Sequence, residues 1–341
     1  MDAFIRKPAD FRMQVFRESG ERLGISEKIV EKDFWVCWML RLLFALPDFG
    51  PHLTFKGGTA LSKVLIIIER FSEDIDVVLD REWLGFGGGK SPEAAPSKKK
   101  RNERLDALKT ACRERIRTGL KPGLEAAIRT ALPSGERWAL RPDESDSEGQ
   151  TLLYEYPSCW PIVADAYVSP MVKIEMGARS DSWPVQNAEV KPYAAEAVPQ
   201  AFAEVTCPVR VLTAERTFWE KATLLHEETF RPPDKPRKAR LARHYYDVWC
   251  LIQKEVAARA VADLALLARV VDHRRIFFPW SWVDYSTMRQ GTLRLLPPAS
   301  QLADWRSDYE AMTGDMFMGP KPSFDQVLAV VRRFEEEFNR P

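Results

Sequence analysis

Apolar positions recur at helical spacing through residues 9–46 and fall into two runs on either side of Gly24-Ile25. In the second run Ile29, Val30, Phe34, Cys37, Trp38 and Leu42 make one stripe, and Ser26 stands where a helix cap belongs. The pattern then shortens. A strand ends at Lys56, Gly57 and Gly58 make a turn, a helix opens at Thr59-Ala60, and a second strand starts at Asp74-Ile75-Asp76. Residues 85–103, GFGGGKSPEAAPSKKKRNE, have no apolar period and read as a mobile loop. Helical spacing returns over 102–131, and 135–150 is a charged, glycine-containing connection. Strands are predicted over 151–156 and 171–176, and in the second Val172, Ile174 and Met176 alternate with Lys173 and Glu175. After a strand at 209–212 the chain turns mostly helical. Thr213 caps a helix that puts Phe218, Ala222 and Leu225 on one face, prolines interrupt the pattern after it, and a helix resumes near Ala239. An amphipathic helix capped by Ser323 closes the chain. The expectation is an α+β protein of two domains: a sheet with N-terminal helices over 1–212, and a mostly helical domain over 213–341.

Composition narrows the class without changing that picture. With 45% apolar and 29% charged residues among 341, the chain is that of a folded protein with a large core. A net charge of +1 leaves any nucleic-acid binding to local patches. Five scattered cysteines without a C-x-x-C pair fit reduced thiols better than a disulfide framework or a zinc site. The N-terminus has no apolar signal segment, and Arg41 and Asp48 break up the richest apolar run. The expected location is the cytoplasm, with no membrane partner.

Candidate chemistry concentrates at 55–80. Two glycines let a backbone approach a ligand closely, and the amides of the following helix would face a phosphate. Asp74 and Asp76 lie two apart on a strand and so share a face, an arrangement suited to Mg²⁺ with phosphates as co-ligands. Glu175 is either a third carboxylate at that site or part of an exposed Lys-Glu strand edge. Lys221 shares the face of Phe218 and Leu225, which for a lysine is usually a stem whose head snorkels to water. Arg243 and Asp247 stand one helical turn apart, the spacing of a structural pair. Glu31-Lys32-Asp33 reads as a solvated helix face, and the basic run 98–101 as a solubilising loop or, second, a contact for RNA phosphates. The stretch 231–243 gathers six cationic side chains around a proline-broken loop, a candidate path for RNA.

The runs FKGGTALSK at 55–63 and RFSEDID at 70–76 resemble the AbiEii/AbiGii toxin family of nucleotidyltransferase-like proteins. Their order is similar to that of the polymerase-beta-like nucleotidyltransferases. Further similar stretches follow in the family's order: EKDFW at 31–35, VKIEMGAR at 172–179, ERTFWEKATLLH at 215–226 and RHYYDVW at 243–249. The resemblance runs from about residue 25 onward. It implies a polymerase-beta-like nucleotidyltransferase sheet with flanking helices, and a helical C-terminal domain that contributes Lys221 and Asp247 to the site. It implies an enzyme using Mg²⁺ or Mn²⁺ and an NTP, with Asp74, Asp76 and Glu175 as metal ligands and Asp74, Ser72, Lys221 and Asp247 as catalytic residues. Gly57, Gly58, Thr59, Lys63, Arg70 and Arg243 would bind substrate, and the helix carrying EKD would brace the nucleotide site. The family includes MenT-type toxins that transfer nucleotides to the 3′ end of tRNA and block translation. The chain is therefore expected to be the toxin half of a toxin–antitoxin pair, with an RNA acceptor and a cognate antitoxin. A nucleotidyltransferase acting on a small molecule or protein side chain, and a non-catalytic RNA-binding module, are the alternatives.

Overall fold

The computed structural model describes residues 1–161, 169–203, 205–313 and 317–340. The chain divides into two units: Met1–Val64 with Ser72–Val211, and Leu65–Phe71 with Leu212–Pro341. It leaves the first unit after Val64 and re-enters it at Ser72, so a seven-residue stretch inside the 55–80 run belongs to the second.

The first unit is built on a mixed sheet, and the fold is the expected α+β arrangement. Strands β1 (Leu53–Lys56), β2 (Ile75–Leu79), β3 (Ala139–Pro142), β4 (Thr151–Glu155), β5 (Met171–Gly177), β6 (Val185–Val190) and β7 (Cys207–Leu212) lie in the order β3-β4-β5-β2-β1-β7-β6. β1 runs antiparallel to β2, while β2 is parallel to β5 and β1 to β7. The central strands carry apolar side chains such as Phe55, Ile75, Val77, Ile174 and Val211, all buried. β5 alternates as its sequence requires, with Val172, Ile174 and Met176 buried and Lys173 and Glu175 less so. The two expected N-terminal helices are Ala9–Leu23 and Glu27–Ala45, the second capped by Ser26, whose hydroxyl accepts from the Lys28 amide. Trp35 of that helix stacks on Tyr156 at 5.5 Å, fixing it against the sheet region.

Three local expectations fail, each for a visible reason. Residues 98–101 open the helix Lys98–Arg115 instead of lying in a loop: Ser97 caps it, and Leu105, Leu108 and Cys112 anchor it in the core. The connection 135–150 contains β3, whose four residues are too few to display an alternation and bury only Leu140. The helix expected to resume near Ala239 begins at Arg243. Arg240 sits in the left-handed region at φ 65°, and Asp308 accepts from the amides of Arg240 and Ala242 at 2.6 and 2.8 Å, so the chain is held out of helix there.

The second unit is helical. Thr213 accepts from the Arg216 amide to start Ala214–Thr229, on which Phe218, Ala222 and Leu225 are buried as their spacing predicts. Phe324–Phe338 opens with a full capping box between Ser323 and Gln326. Among the described residues no helix is long and apolar enough to cross a membrane.

Candidate active site

β1 ends at Lys56, which pairs in register with Asp76 of β2. The helix Gly57–Lys63 follows without a separate turn, so the two glycines form its first residues. Gly57 takes φ 81°, and a Cβ built on it would lie 2.0 Å from Asp76 Oδ2. Only glycine lets the backbone come this close to that carboxylate. The Thr59 hydroxyl donates to the Asp74 carbonyl at 2.6 Å and lies 3.0 Å from Ser72 Oγ. Thr59, expected at the phosphates, is buried, and its hydroxyl ties the helix to the segment carrying Ser72 and Asp74. Asp74 lies just before β2, half-buried, not within the strand.

Asp76 and Glu175 are register partners on the parallel strands β2 and β5. Partial removal from water disfavours the Asp76 charge, the Glu175 carboxylate beside it and Asp74 add to this, and Lys56 opposes it. The net effect pushes the Asp76 carboxyl up to about 7. Glu175 pairs with Lys173 at 2.5 Å, and the Lys56 ammonium donates to Ser180 Oγ at 3.1 Å. Among the described residues no group of three or more His, Cys, Asp or Glu is placed to hold a metal ion by itself. What the sheet offers is a frustrated carboxylate pair with further negative charge nearby, the donor set that a hard divalent cation relieves when phosphate oxygens and water complete its shell.

The helix Glu27–Ala45 holds this region from behind, and the expectation of a solvated Glu31-Lys32-Asp33 face is overturned, since all three are buried. Each has its own partner. Glu31 accepts from Ser158 Oγ at 2.8 Å and the Cys159 amide at 2.7 Å. Lys32 pairs at 2.5 Å with Glu73, the residue before Asp74. Asp33 accepts from the Tyr193 amide at 2.6 Å and pairs with Lys63 at 3.0 Å. The ammonium of Lys63, expected to bind substrate, is buried, pairs with Asp33 and sits 3.3 Å from the Tyr193 ring centroid. It fastens the glycine-bearing helix to its brace.

In the second unit Arg70 grips Asp247 through two hydrogen bonds of 2.7 and 2.8 Å, and Lys221 pairs with the same carboxylate at 2.8 Å. Burial works against the Asp247 charge, but Arg70 and Lys221 outweigh it and hold the carboxyl far below the usual range. Burial pulls the Lys221 ammonium down against the pull of Asp247. His244 lies 3.3 Å from the Lys221 ammonium through Nδ1. Burial together with Lys221 and Arg243 pushes its pKa well down, so it is neutral and accepts. Arg70, expected at substrate, is engaged by Asp247. Two expectations change here. Lys221 does not snorkel to water. The anticipated Arg243–Asp247 pair is absent because Arg70 and Lys221 already occupy both carboxylate oxygens, leaving Arg243 half-exposed.

The sequence profile described as nucleotidyl transferase AbiEii toxin, type IV toxin–antitoxin system, matches residues 41–330. The chain belongs to the AbiEii nucleotidyltransferase toxin family. Among solved structures, MenT4, a nucleotidyltransferase toxin from Mycobacterium tuberculosis H37Rv, is 18% identical, with a TM-score of 0.48 over 97% of this chain and 90% of that one. No curated protein matches the sequence.

In this AbiEii protein the expected residues fall into two sets, one in each unit. The first holds Gly57, Gly58, Thr59, Lys63, Ser72, Asp74, Asp76 and Glu175; the second holds Arg70, Lys221, Arg243 and Asp247. Lys56 and His244 were missed. Lys56 meets Asp76 through the antiparallel register of two strands with a helix between them, which carries no local signal; His244 could have been found as a polar residue one helical turn before Asp247. The basic stretch 231–243 is only partly free. Arg231 makes two hydrogen bonds to Glu228 at 2.6 and 2.7 Å, and Arg237 bonds Gln301 at 2.6 Å while lying 3.9 Å from the Trp305 ring centroid. Lys235, Lys238 and Arg240 are exposed.

Proposed function

We propose that this AbiEii toxin transfers the nucleoside monophosphate of an NTP to an RNA hydroxyl, the 3′ end of tRNA, and so blocks translation until a cognate antitoxin neutralises it. The observation that carries the reading is the Asp76–Glu175 pair, two carboxylates forced together beside a glycine-opened helix, with Asp76 pushed up to about 7. Asp74 and Asp76 would hold Mg²⁺, which when bound neutralises charge on the triphosphate. The amides of Gly57 and Gly58 line the approach of the phosphates. The acceptor oxygen forms a bond to the α-phosphorus, the bond to the bridging oxygen breaks, and pyrophosphate leaves with that electron pair. Glu175, beside Asp76, receives the acceptor's proton. In the second unit Lys221 is the candidate cation for phosphate charge, and Asp247 orients it.

The test is incubation of the protein with labelled NTPs and total tRNA. The expected result is Mg²⁺-dependent labelling of tRNA that Asp74→Ala abolishes while the melting curve stays unchanged. Full labelling by Asp74→Ala would refute the two-carboxylate reading.

A further inference from the structure

Trp280 is one of few large apolar side chains left exposed among the described residues, at 42%. Exposed apolar residues are ordinary taken singly. This one is not single. Its indole stacks on that of Trp282 with centroids 4.6 Å apart and planes at 23°. The Arg231 guanidinium lies 5.8 and 5.7 Å from the two ring centroids, held in place by Glu228. The Trp280 amide donates to Tyr285 Oη at 3.0 Å, and that hydroxyl donates to the Phe278 carbonyl at 2.9 Å, so the segment bearing the indoles is pinned. Arg231 begins the loop that exposes Lys235, Lys238 and Arg240 against one exposed acid, Asp234. Asp284, the acid nearest in sequence to the indoles, is occupied by Ser286.

We propose that the Trp280–Trp282 pair is a stacking platform for an unpaired base of single-stranded RNA, with Lys235, Lys238 and Arg240 contacting the phosphates beside it. Every base offers a π-face, so a rigid indole ledge flanked by cations binds single strands with little regard to sequence. A duplex keeps its bases stacked on one another and cannot use it. The inference rests on the RNA-acceptor reading above and adds where the strand is held.

The experiment measures fluorescence anisotropy of a labelled, unstructured RNA of about 12 nucleotides, within the span of a small binding groove. The same strand annealed to its complement serves for comparison. Trp280→Ala should weaken single-strand binding about tenfold, while Trp280→Phe, which keeps a ring, should stay close to the parent. Duplex binding should barely move. The parent should also show tryptophan quenching on adding the single strand that is diminished in Trp280→Phe. The platform is overturned if Trp280→Ala binds the single strand like the parent, if the Phe variant is as weak as the Ala variant, or if the indole is quenched by an antitoxin peptide and not by RNA. Labelled-NTP transfer by the parent separates the two levels. Transfer to RNA with Trp280-independent binding defeats the platform alone, whereas Trp280-dependent binding without transfer leaves the platform and defeats the acceptor reading.

Discussion

Gly57 and Asp76 are packed so closely that a single added methyl would sit 2.0 Å from Oδ2 of the carboxylate. The glycine that opens the helix and the acid on the next strand are therefore one feature, since the backbone takes φ 81° at the point where the side chain must pass. Gly57→Ala should pay twice. The left-handed conformation costs about 1–2 kcal/mol, and the displaced carboxylate should lower nucleotidyl transfer about a hundredfold, as an ångström-scale misplacement can. Gly135 takes φ 95° with nothing within 4 Å, so Gly135→Ala should pay the backbone cost alone and keep its activity. Urea unfolding with transfer assays on both variants checks this; equal activity in the two would mean that Asp76 does not need its position.

How much of this was legible in the sequence depended on whether the deciding contact was local. The alternation that places Lys173 and Glu175 opposite Ile174 is written in six residues, and so is the cap at Ser26. The partner of Lys63 was not legible, since its ammonium meets Asp33, thirty residues earlier. Nor was the partner of Arg70 legible: it stands two residues before Ser72, but its guanidinium grips Asp247, 177 residues away. Charged residues with distant partners look like ordinary solvated ones when only neighbours are visible. The basic run 98–101 misled differently, because a helix start is set by one cap and by anchors further along, whatever charge its first turn carries.

Asp76 should make the metal-free protein pH-sensitive. Its folded carboxyl, at about 7, lies above the ordinary value of 3.8. The folded state therefore binds its proton more tightly than the unfolded chain does, and stability should fall as pH rises from about 4 through about 7. Asp76→Asn removes the ionisation and should flatten that fall. Millimolar Mg²⁺ should raise the melting temperature of the parent more at pH 8 than at pH 5, and hardly that of Asp76→Asn. Thermal melts across this range, with and without the ion, decide it, and an equal effect at both pH values would count against a cation at Asp76.

The buried Arg70–Asp247–Lys221 group predicts an order of stabilities. Removing the shared anion leaves two buried cations without their partner, so Asp247→Asn should cost about 3–5 kcal/mol. Lys221→Met leaves Asp247 with both Arg70 hydrogen bonds and should cost clearly less. Denaturant titrations of the two variants should show this ranking. Transfer activity should then be compared only where both are folded, since a loss in Asp247→Asn under marginal conditions would report unfolding. If Lys221→Met proved the less stable, the anion would not be the keystone of this group.

The loop at 231–243 predicts a salt dependence narrower than its composition suggests. Of its cations, Arg231 and Arg237 are already committed to Glu228, Gln301 and aromatic rings. Lys235, Lys238 and Arg240 are free to meet phosphate, because their exposed charges are spent on little else than the 3.9 Å approach of Lys235 to Asp234. Each single-strand phosphate they neutralise releases counterions and should contribute about −0.7 to the log–log slope of affinity against salt. The variant Lys235→Gln/Lys238→Gln/Arg240→Gln should therefore bind RNA with a slope shallower by about 2. Its KM for tRNA should rise and its KM for NTP should not, since in our reading the nucleotide is held by Asp74, Asp76 and the glycine-opened helix. Arg237→Gln should behave differently, losing its packing on Trp305 and with it stability, while leaving the slope nearly unchanged. Should the triple variant retain the parent's slope, the RNA runs elsewhere; should Arg237→Gln flatten it instead, the committed and free arginines have been assigned the wrong way round.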